Sequence, residues 1–349
     1  MKKVSIIGHF GLGLHLLNGQ TVKTKIVTDE LEKRFGKEDV LKIDTHGSKF
    51  LTLFKSPFQA FKALTKSQNV IICPAHNGLR IFAPLLVFLK SFFKNRKLHY
   101  VVIGGWLSEF LKNRQRLEKR LKKFDWIYVE TNTMKIALEK MGFENVVVMP
   151  NCKDLDIIDE SELIYPSGEP YKLCTFSRVM KEKGIEDAVS AVRAVNESFC
   201  RTVYTLDIYG QVDANQTDWF DELKASFPDY VNYCGLVDYD KSVKVLKNYF
   251  ALVFPTRFYT EGIPGTIIDA YAAGIPVISS KWESFDDIVE EGKTGFGYEF
   301  GDSVSLRSIL LNVANNPKLI TEKKKNALHK SNDYLPFNGL SVLINSILS

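Results

Sequence analysis

The sequence predicts an α/β protein made of two doubly wound units, and three observations carry that prediction. Short apolar runs of strand length alternate with stretches of helical periodicity along nearly the whole chain. The 349 residues suffice for two domains with sizeable cores. An acidic stretch at 153–170, holding Pro166, Gly168 and Pro170, reads as a linker between two runs of the alternation.

In the first run, strands are expected at 3–8, 40–44, 69–73, 99–103, 126–129 and 146–149. Helices are expected through Phe35 and at 57–65, 79–93, 106–123 and 134–141. Gly8-His-Phe-Gly-Leu-Gly follows the first strand, and glycines there let a backbone approach a phosphate or sugar. The second run opens with a strand from Tyr171, a basic loop bearing Arg178 and Lys183, and a helix start at Ile185. A guanidinium and an ammonium flanking one loop suit a diphosphate, one as a fork and one as a point charge. Next come a strand at 203–209 ending on Gly210, another near Asn232, a helix at 239–249 and a buried strand at 251–254. Gly262 and Gly265 then turn the chain tightly, with Pro264 suited to a first helical turn. A short apolar helix holds one acid, Asp269, stops at Gly274 and leads into a strand at 276–280. Its N-terminus offers free N–H groups and a positive dipole end, a place for phosphate. Helices at 303–316, 317–332 and 338–348 complete the chain, with a break at Tyr334-Leu-Pro-Phe.

Composition, at 45% hydrophobic and 25% charged, is that of an ordinary globular protein. Net charge is +5 but unevenly spread: residues 1–170 hold 27 Lys and Arg against 18 Asp and Glu, and the remainder 19 against 23. Within 49–123 the 16 basic residues meet only Glu109 and Glu118, which asks for an anionic partner. The aromatics of that segment fall in apolar helix runs, so nucleic acid is not expected. Five widely spaced cysteines (Cys73, Cys152, Cys174, Cys200, Cys234) read as reduced core residues of a cytosolic protein. The N-terminus lacks the pattern of a signal peptide, and no run approaches the roughly 18 apolar residues of a membrane span. Histidines show no metal-ligand spacing, and the triplets Asp154-Leu-Asp156 and Asp238-Tyr-Asp240 read as turn acids, so no metal is expected. Walker-type and G-x-S-x-G motifs are missing as well.

Two motifs carry a resemblance. Glu261, seven residues, then Asp269 followed by Ala-Tyr-Ala-Ala-Gly-Ile-Pro-Val-Ile resembles the E-x7-E signature of retaining nucleotide-sugar glycosyltransferases of the GT-B fold. That family includes many bacterial capsular and exopolysaccharide transferases. Ser177-Arg178, four residues, then Lys183-Gly184 is similar to its second motif, in the right order about eighty residues earlier. The chain departs from the signature in one place, with Asp269 one methylene shorter than the usual Glu.

The resemblance implies two Rossmann-like domains with a cleft between them and a C-terminal helix that crosses back. Residues 1–166 with 335–349 would bind the acceptor, and 167–334 the nucleotide sugar. Catalysis would rest on Glu261, Arg178 and Lys183. Donor contacts would add Gly11, Gly13, Gly210, Gly262, Ile263, Pro264, Gly265, Thr266 and Asp269, with Asp269 on the ribose and Glu261 on the sugar hydroxyls. His9, His76 and Trp106 would meet the acceptor. The implied activity is metal-independent transfer, with retention, from an NDP-sugar (UDP before GDP) to a glycan or polyprenyl-diphosphate-linked acceptor. The nucleotide sugar is a co-substrate, and no cofactor is expected.

Two further expectations remain open on the sequence. An epimerase of the same fold, or a non-enzymatic anion-binding protein using the basic segment, would share much of this pattern. Residues 106–124 place Leu107, Phe110, Leu111, Leu117, Leu121 and Phe124 at helical spacing beside Lys112, Arg116, Lys119, Arg120 and Lys123. That pattern points to a peripheral protein on the anionic inner face of the cell membrane.

Overall fold

Twelve short runs rich in Val, Ile, Leu and aromatic residues form strands in the computed structural model, which describes residues 1–11, 19–47 and 49–349. All twelve pair in parallel, in two six-stranded sheets. Parallel strands need a crossover between them, and here the crossovers are mostly helices.

The first unit comprises Met1–Asp154 and Tyr334–Ser349. Its elements are β1 (Lys2–Gly8), α1 (Gly19–Phe35), β2 (Val40–Asp44), α2 (Lys49–Lys66), β3 (Ser67–Ile72), α3 (His76–Lys90) and β4 (Lys97–Val101). After them come α4 (Leu107–Leu111), α5 (Gln115–Leu121), β5 (Trp126–Val129), α6 (Asn132–Lys140) and β6 (Val146–Val148). Strand order is β2-β1-β3-β4-β5-β6. Successive strand residues face opposite sides. Ile7, Ile72, Tyr100 and Ile127 therefore pack with Leu64 of α2, Phe82 of α3 and Leu121 of α5. Their neighbours Ile6, Ile71, Val101 and Tyr128 pack with Val27 and Leu31 of α1, and with Leu343 and Ile347 near the C-terminus.

The second unit, Leu155–Asp333, holds β7 (Tyr171–Phe176), α7 (Ile185–Phe199), β8 (Tyr204–Tyr209), α8 (Thr217–Ala225), β9 (Val231–Gly235) and α9 (Ser242–Leu246). It continues through β10 (Ala251–Phe254), α10 (Gly265–Ala272), β11 (Val277–Ser280), β12 (Gly295–Tyr298), α11 (Ser303–Asn315), α12 (Lys318–Thr321) and α13 (Lys324–Lys330). Strand order is β12-β11-β10-β7-β8-β9. The chain then returns to the first unit as α14 (Pro336–Gly339) and α15 (Ser341–Leu348).

Several local expectations are corrected. The single helix expected over 106–123 is two helices, broken at Lys112–Arg114, where Arg114 leaves helical dihedrals (φ −135°, ψ 52°) and its guanidinium donates to the Phe110 carbonyl at 2.6 Å. Pro57 does not open α2 but lies inside it, at the loss of one backbone hydrogen bond. α3 starts three residues before 79, so His76 is its first residue rather than part of a loop. The 239–249 helix shrinks to α9. Residues 155–166 belong with the second unit rather than the first, because Ile158 N–H donates to the Ala272 carbonyl and Glu162 pairs with Lys247. Two cysteines expected in the core, Cys200 and Cys234, are exposed; all five are free.

Candidate functional site

In open parallel sheets, ligands gather at the carboxyl ends of strands where the chain switches direction across the sheet. In the second unit that point lies between β7 and β10, which pair directly. Residues 177–184 leave β7 there and residues 255–264 leave β10; the first stretch carries one motif and the second begins the other, which runs from Glu261 to Asp269 in α10.

The two loops are fastened together. Gly184 has φ 66°, and a Cβ on it would lie 1.9 Å from the Pro255 carbonyl oxygen, so only glycine allows this approach. Arg257 N–H donates to the Glu182 carbonyl at 2.8 Å, and its guanidinium grips Asp187 with two bonds of 2.9 and 2.7 Å. On the other side, Val179 forms an isolated bridge with Val212, and Gln216 takes the Lys181 N–H at 2.7 Å.

These fastenings bring Lys183 against Glu261, 78 residues apart in sequence, in a direct hydrogen-bonded ion pair. Each side chain is only 17% exposed. Thr256 Oγ1 donates to the same carboxylate at 3.2 Å, and the Phe254 and Phe258 rings lie 5.4 and 5.0 Å from the ammonium. The other expected cation, Arg178, is more open and faces Asp213 at 3.5 Å. Both cations of the motif thus carry a carboxylate counterion. Sequence reading missed Thr256, Arg257, Asp187 and Asp213; their roles depend on contacts between distant segments.

Beyond Glu261, Gly262 and Ile263 are buried and Pro264 is the N-cap of α10, with no side chain capping the helix. Gly265 and Thr266 form its first turn, and the buried Thr266 Oγ1 has no hydrogen-bond partner among the described residues. Asp269 lies one turn further, 4% exposed among Ile267, Ile268, Ala270 and Ala272. Gly210, another expected donor contact, is half-buried and packs closely on the loop after β7. At its φ of 138° the place of a Cβ is filled by the Ser177 carbonyl oxygen, 1.8 Å away.

In the first unit the switch lies between β1 and β3. A cavity of roughly 660 Å³ opens there, lined by His9, Gln20, Thr45, His76, Asn77 and Arg80 among others. His9 shares hydrogen bonds with Thr21 Oγ1 (2.8 Å) and His46 Nδ1 (3.0 Å). Burial and the neighbouring His46 pull its pKa below the ordinary imidazole value against the pull of Asp44. His76 lies over Trp106 with ring centroids 3.8 Å apart, and burial and Arg114 pull its pKa down too. The three expected acceptor residues are therefore neighbours in part: two line the cavity and Trp106 backs one of them. Trp106 Nε1 is itself used, donating to the Ile103 carbonyl at 2.8 Å. Gly11 has φ 57° and its N–H points at Asp44 Oδ1, 3.4 Å away; Gly13 lies outside the described residues. Among the described residues, no three His, Cys, Asp or Glu side chains converge to hold a metal.

Residues 170–316 match the model of a family described as glycosyl transferases group 1. Amylovoran biosynthesis glycosyltransferase AmsK of Erwinia amylovora is 24% identical over 184 residues, 52% of this chain but only 42% of AmsK. The uncharacterized glycosyltransferase MJ1069 of Methanocaldococcus jannaschii is 24% identical over 279 residues, 70% of this chain and 67% of that protein. Among solved structures, HepE of Anabaena in complex with UDP superimposes over 100% of both chains with a TM-score of 0.77 at 14% identity. The family match is thus confined to residues 170–316, while the chain as a whole has the two-domain GT-B fold.

Proposed function

We propose that the protein is a metal-independent glycosyltransferase that moves a sugar from a UDP-sugar, with retention, to a glycan or polyprenyl-diphosphate-linked acceptor in cell-surface polysaccharide synthesis. The observation that carries this reading is the Lys183–Glu261 pair at the switch point of the second sheet, just ahead of the uncapped α10. A diphosphate entering there gives Lys183 a new anionic partner and frees Glu261 to accept hydrogen bonds from sugar hydroxyls. One ion pair is exchanged for two charge-assisted contacts. Arg178 and the first-turn N–H groups of α10 meet the charge that grows on the leaving diphosphate as the C–O bond breaks. Asp269 is assigned the ribose. The leaving phosphate itself takes part in deprotonating the acceptor, so the reading needs no separate general base.

HepE was solved with UDP and with UDP-glucose, and AmsK acts in amylovoran biosynthesis; both support a UDP-sugar and a polysaccharide product here. Among the described residues no helix is long and apolar enough to cross a membrane. The test is a panel of nucleotide sugars scored by thermal shift and slow hydrolysis. UDP and one UDP-sugar should raise the melting temperature, with UDP released over hours. A panel without effect would overturn the reading.

A further inference from the structure

A second concentration of positive charge lies in the first unit, away from Lys183 and Arg178. A cavity of roughly 750 Å³ lies between α3 and the α4–α5 break, and its lining holds Arg80, Lys112, Arg114, Arg116 and Arg120 but no carboxylate. Lys112 pairs with Glu109, outside that lining. Arg114 is held by Phe110, whose carbonyl it donates to at 2.6 Å and whose ring it covers at 3.9 Å. Arg80, Arg116 and Arg120 have no ion-pair partner among the described residues. Three guanidiniums on two packed helices, with a fourth fixed on an aromatic ring, repel one another unless an anion with several oxygens lies between them.

This cavity is the middle of three. Arg80 also lines the 660 Å³ cavity of His9 and His76, and Arg120 also lines one of roughly 420 Å³ bounded by Val87, Phe88, Lys94 and Lys123. Phe88, which lines this cavity, is 60% exposed and meets Phe92, 69% exposed, edge to face with ring centroids 5.7 Å apart. The order along the surface is hydrogen-bonding, then cationic, then mixed: Lys90, Lys94, Arg120 and Lys123 line the last cavity together with Val87 and Phe88.

We propose that this track binds a lipid-linked sugar diphosphate, with the diphosphate in the cationic cavity, the sugar beside His9 and His76, and the first lipid units along Phe88 and Phe92. The proposal rests on the glycosyltransferase reading for calling this molecule an acceptor, but the diphosphate site is a binding claim that needs no turnover. Guanidinium forks bind phosphoryl oxygens in pairs, and an apolar group at one end of the diphosphate gains area on the two phenylalanines.

Calorimetry on the full chain, with UDP at saturation to occupy the donor site, tests it with farnesyl diphosphate, inorganic pyrophosphate and farnesol. Farnesyl diphosphate should bind at least about tenfold tighter than pyrophosphate, and farnesol at least about tenfold more weakly than farnesyl diphosphate. Arg116→Ala with Arg120→Ala should weaken both diphosphates about tenfold or more, and Phe88→Ser with Phe92→Ser should weaken farnesyl diphosphate alone. UDP titrated into each variant reports on the second unit and controls for folding. Equal binding of both diphosphates to the arginine variant and wild type would overturn the site. Equal affinity of farnesyl diphosphate and pyrophosphate for wild type would overturn its lipid part. Failure of UDP to bind, with the arginine effect intact, would instead sink the donor reading and leave this site standing.

Discussion

Two clusters of cations, one in each unit, are handled in opposite ways. In the second, Lys183 and Arg178 each face a carboxylate, Glu261 and Asp213, while in the first Arg80, Arg116 and Arg120 face none among the described residues. A neutralised site does little to attract anions from a distance; a ligand must offer more than the carboxylate it displaces, which favours discrimination. An uncompensated patch projects its field into solvent and speeds the arrival of any anion, with little selectivity and strong dependence on salt. On the proposed function the labour is divided: selection for the donor, capture for the acceptor. The surplus of nine positive charges in residues 1–170 marks the capturing half.

The sharpest way to break the comparison is Lys183→Ala. It removes the point charge assigned to the donor and leaves Glu261 partly buried with, among the described residues, only Thr256 as a hydrogen-bond donor. Turnover of donor should fall about a hundredfold, or about 3 kcal/mol in barrier. Arg178→Ala should cost less, about tenfold, because the side chain is more than half exposed and its partner lies 3.5 Å away. Single-turnover hydrolysis of the preferred UDP-sugar measures both, and full activity in either variant would remove that residue from the diphosphate.

A third kind of cation sharpens the contrast by lacking both a carboxylate and solvent. Lys324 is 0% exposed, its ammonium donates to the Tyr249 carbonyl at 3.2 Å, and burial pulls its pKa down to about 8. The unfolded chain holds its proton up to about 10.5. Between those values the unfolded state binds more protons, so stability should rise with pH from about 8 to about 10.5. At pH 7 the folded protein carries a buried charge at a cost of about 3 kcal/mol. Lys324→Met removes that cost but loses the Tyr249 bond, for a net gain of about 1–2 kcal/mol. Urea unfolding at pH 7 and pH 9.5 should show a larger gain at pH 7; an equal gain at both would mean the lysine is not titrating in this window.

The two acids of the donor site should separate by readout. Glu261→Gln weakens the partner of Lys183 and should lower turnover more than UDP affinity. Asp269→Asn should weaken UDP about tenfold with a smaller effect on the hydrolysis rate of bound donor. Calorimetry with UDP on both variants decides, and losses in the reverse order would exchange their roles.

How far this was readable depends on the range of each contact. The strands were legible because buried parallel strands are continuous apolar runs, as in β10, whose four residues are all buried. α8 and β12 escaped: α8 buries only Phe220, and β12 carries two glycines in four residues. Both motifs were legible in order and spacing. That Lys183 and Glu261 would neutralise each other was not, since it follows from Gly184 meeting Pro255 and Arg257 meeting Asp187. The exposed cysteines have local causes, Cys200 ending α7 in a left-handed conformation and Cys234 pointing outward from the edge strand β9.

The smallest effects per residue belong to the membrane expectation, which the structure recasts. The apolar stripe of 106–124 is spent on the first unit's own core: Leu107, Leu111, Leu117, Leu121 and Phe124 are buried there. What remains outward on α5 and its C-terminal turn is charge, with Lys119, Arg120 and Lys123 exposed. Exposed apolar groups come instead from α2, α3 and the turn after α3, with Phe58 84%, Phe88 60% and Phe92 69% exposed. Each lysine or arginine near an anionic surface contributes roughly 1 kcal/mol, and charges farther than about 8–10 Å from it are screened at physiological salt. Binding to anionic vesicles should therefore appear at low salt, fade at high salt and be missing on neutral vesicles. Lys119→Glu with Lys123→Glu should lower vesicle affinity about thirtyfold or more, since each reversal also adds repulsion, while leaving UDP binding alone. Phe58→Ser should lower it several-fold at every salt concentration, because buried apolar area is not screened. Liposome flotation across a salt series separates the two contributions. A wild-type protein that ignores anionic vesicles at low salt would confine the capturing charge to soluble anions.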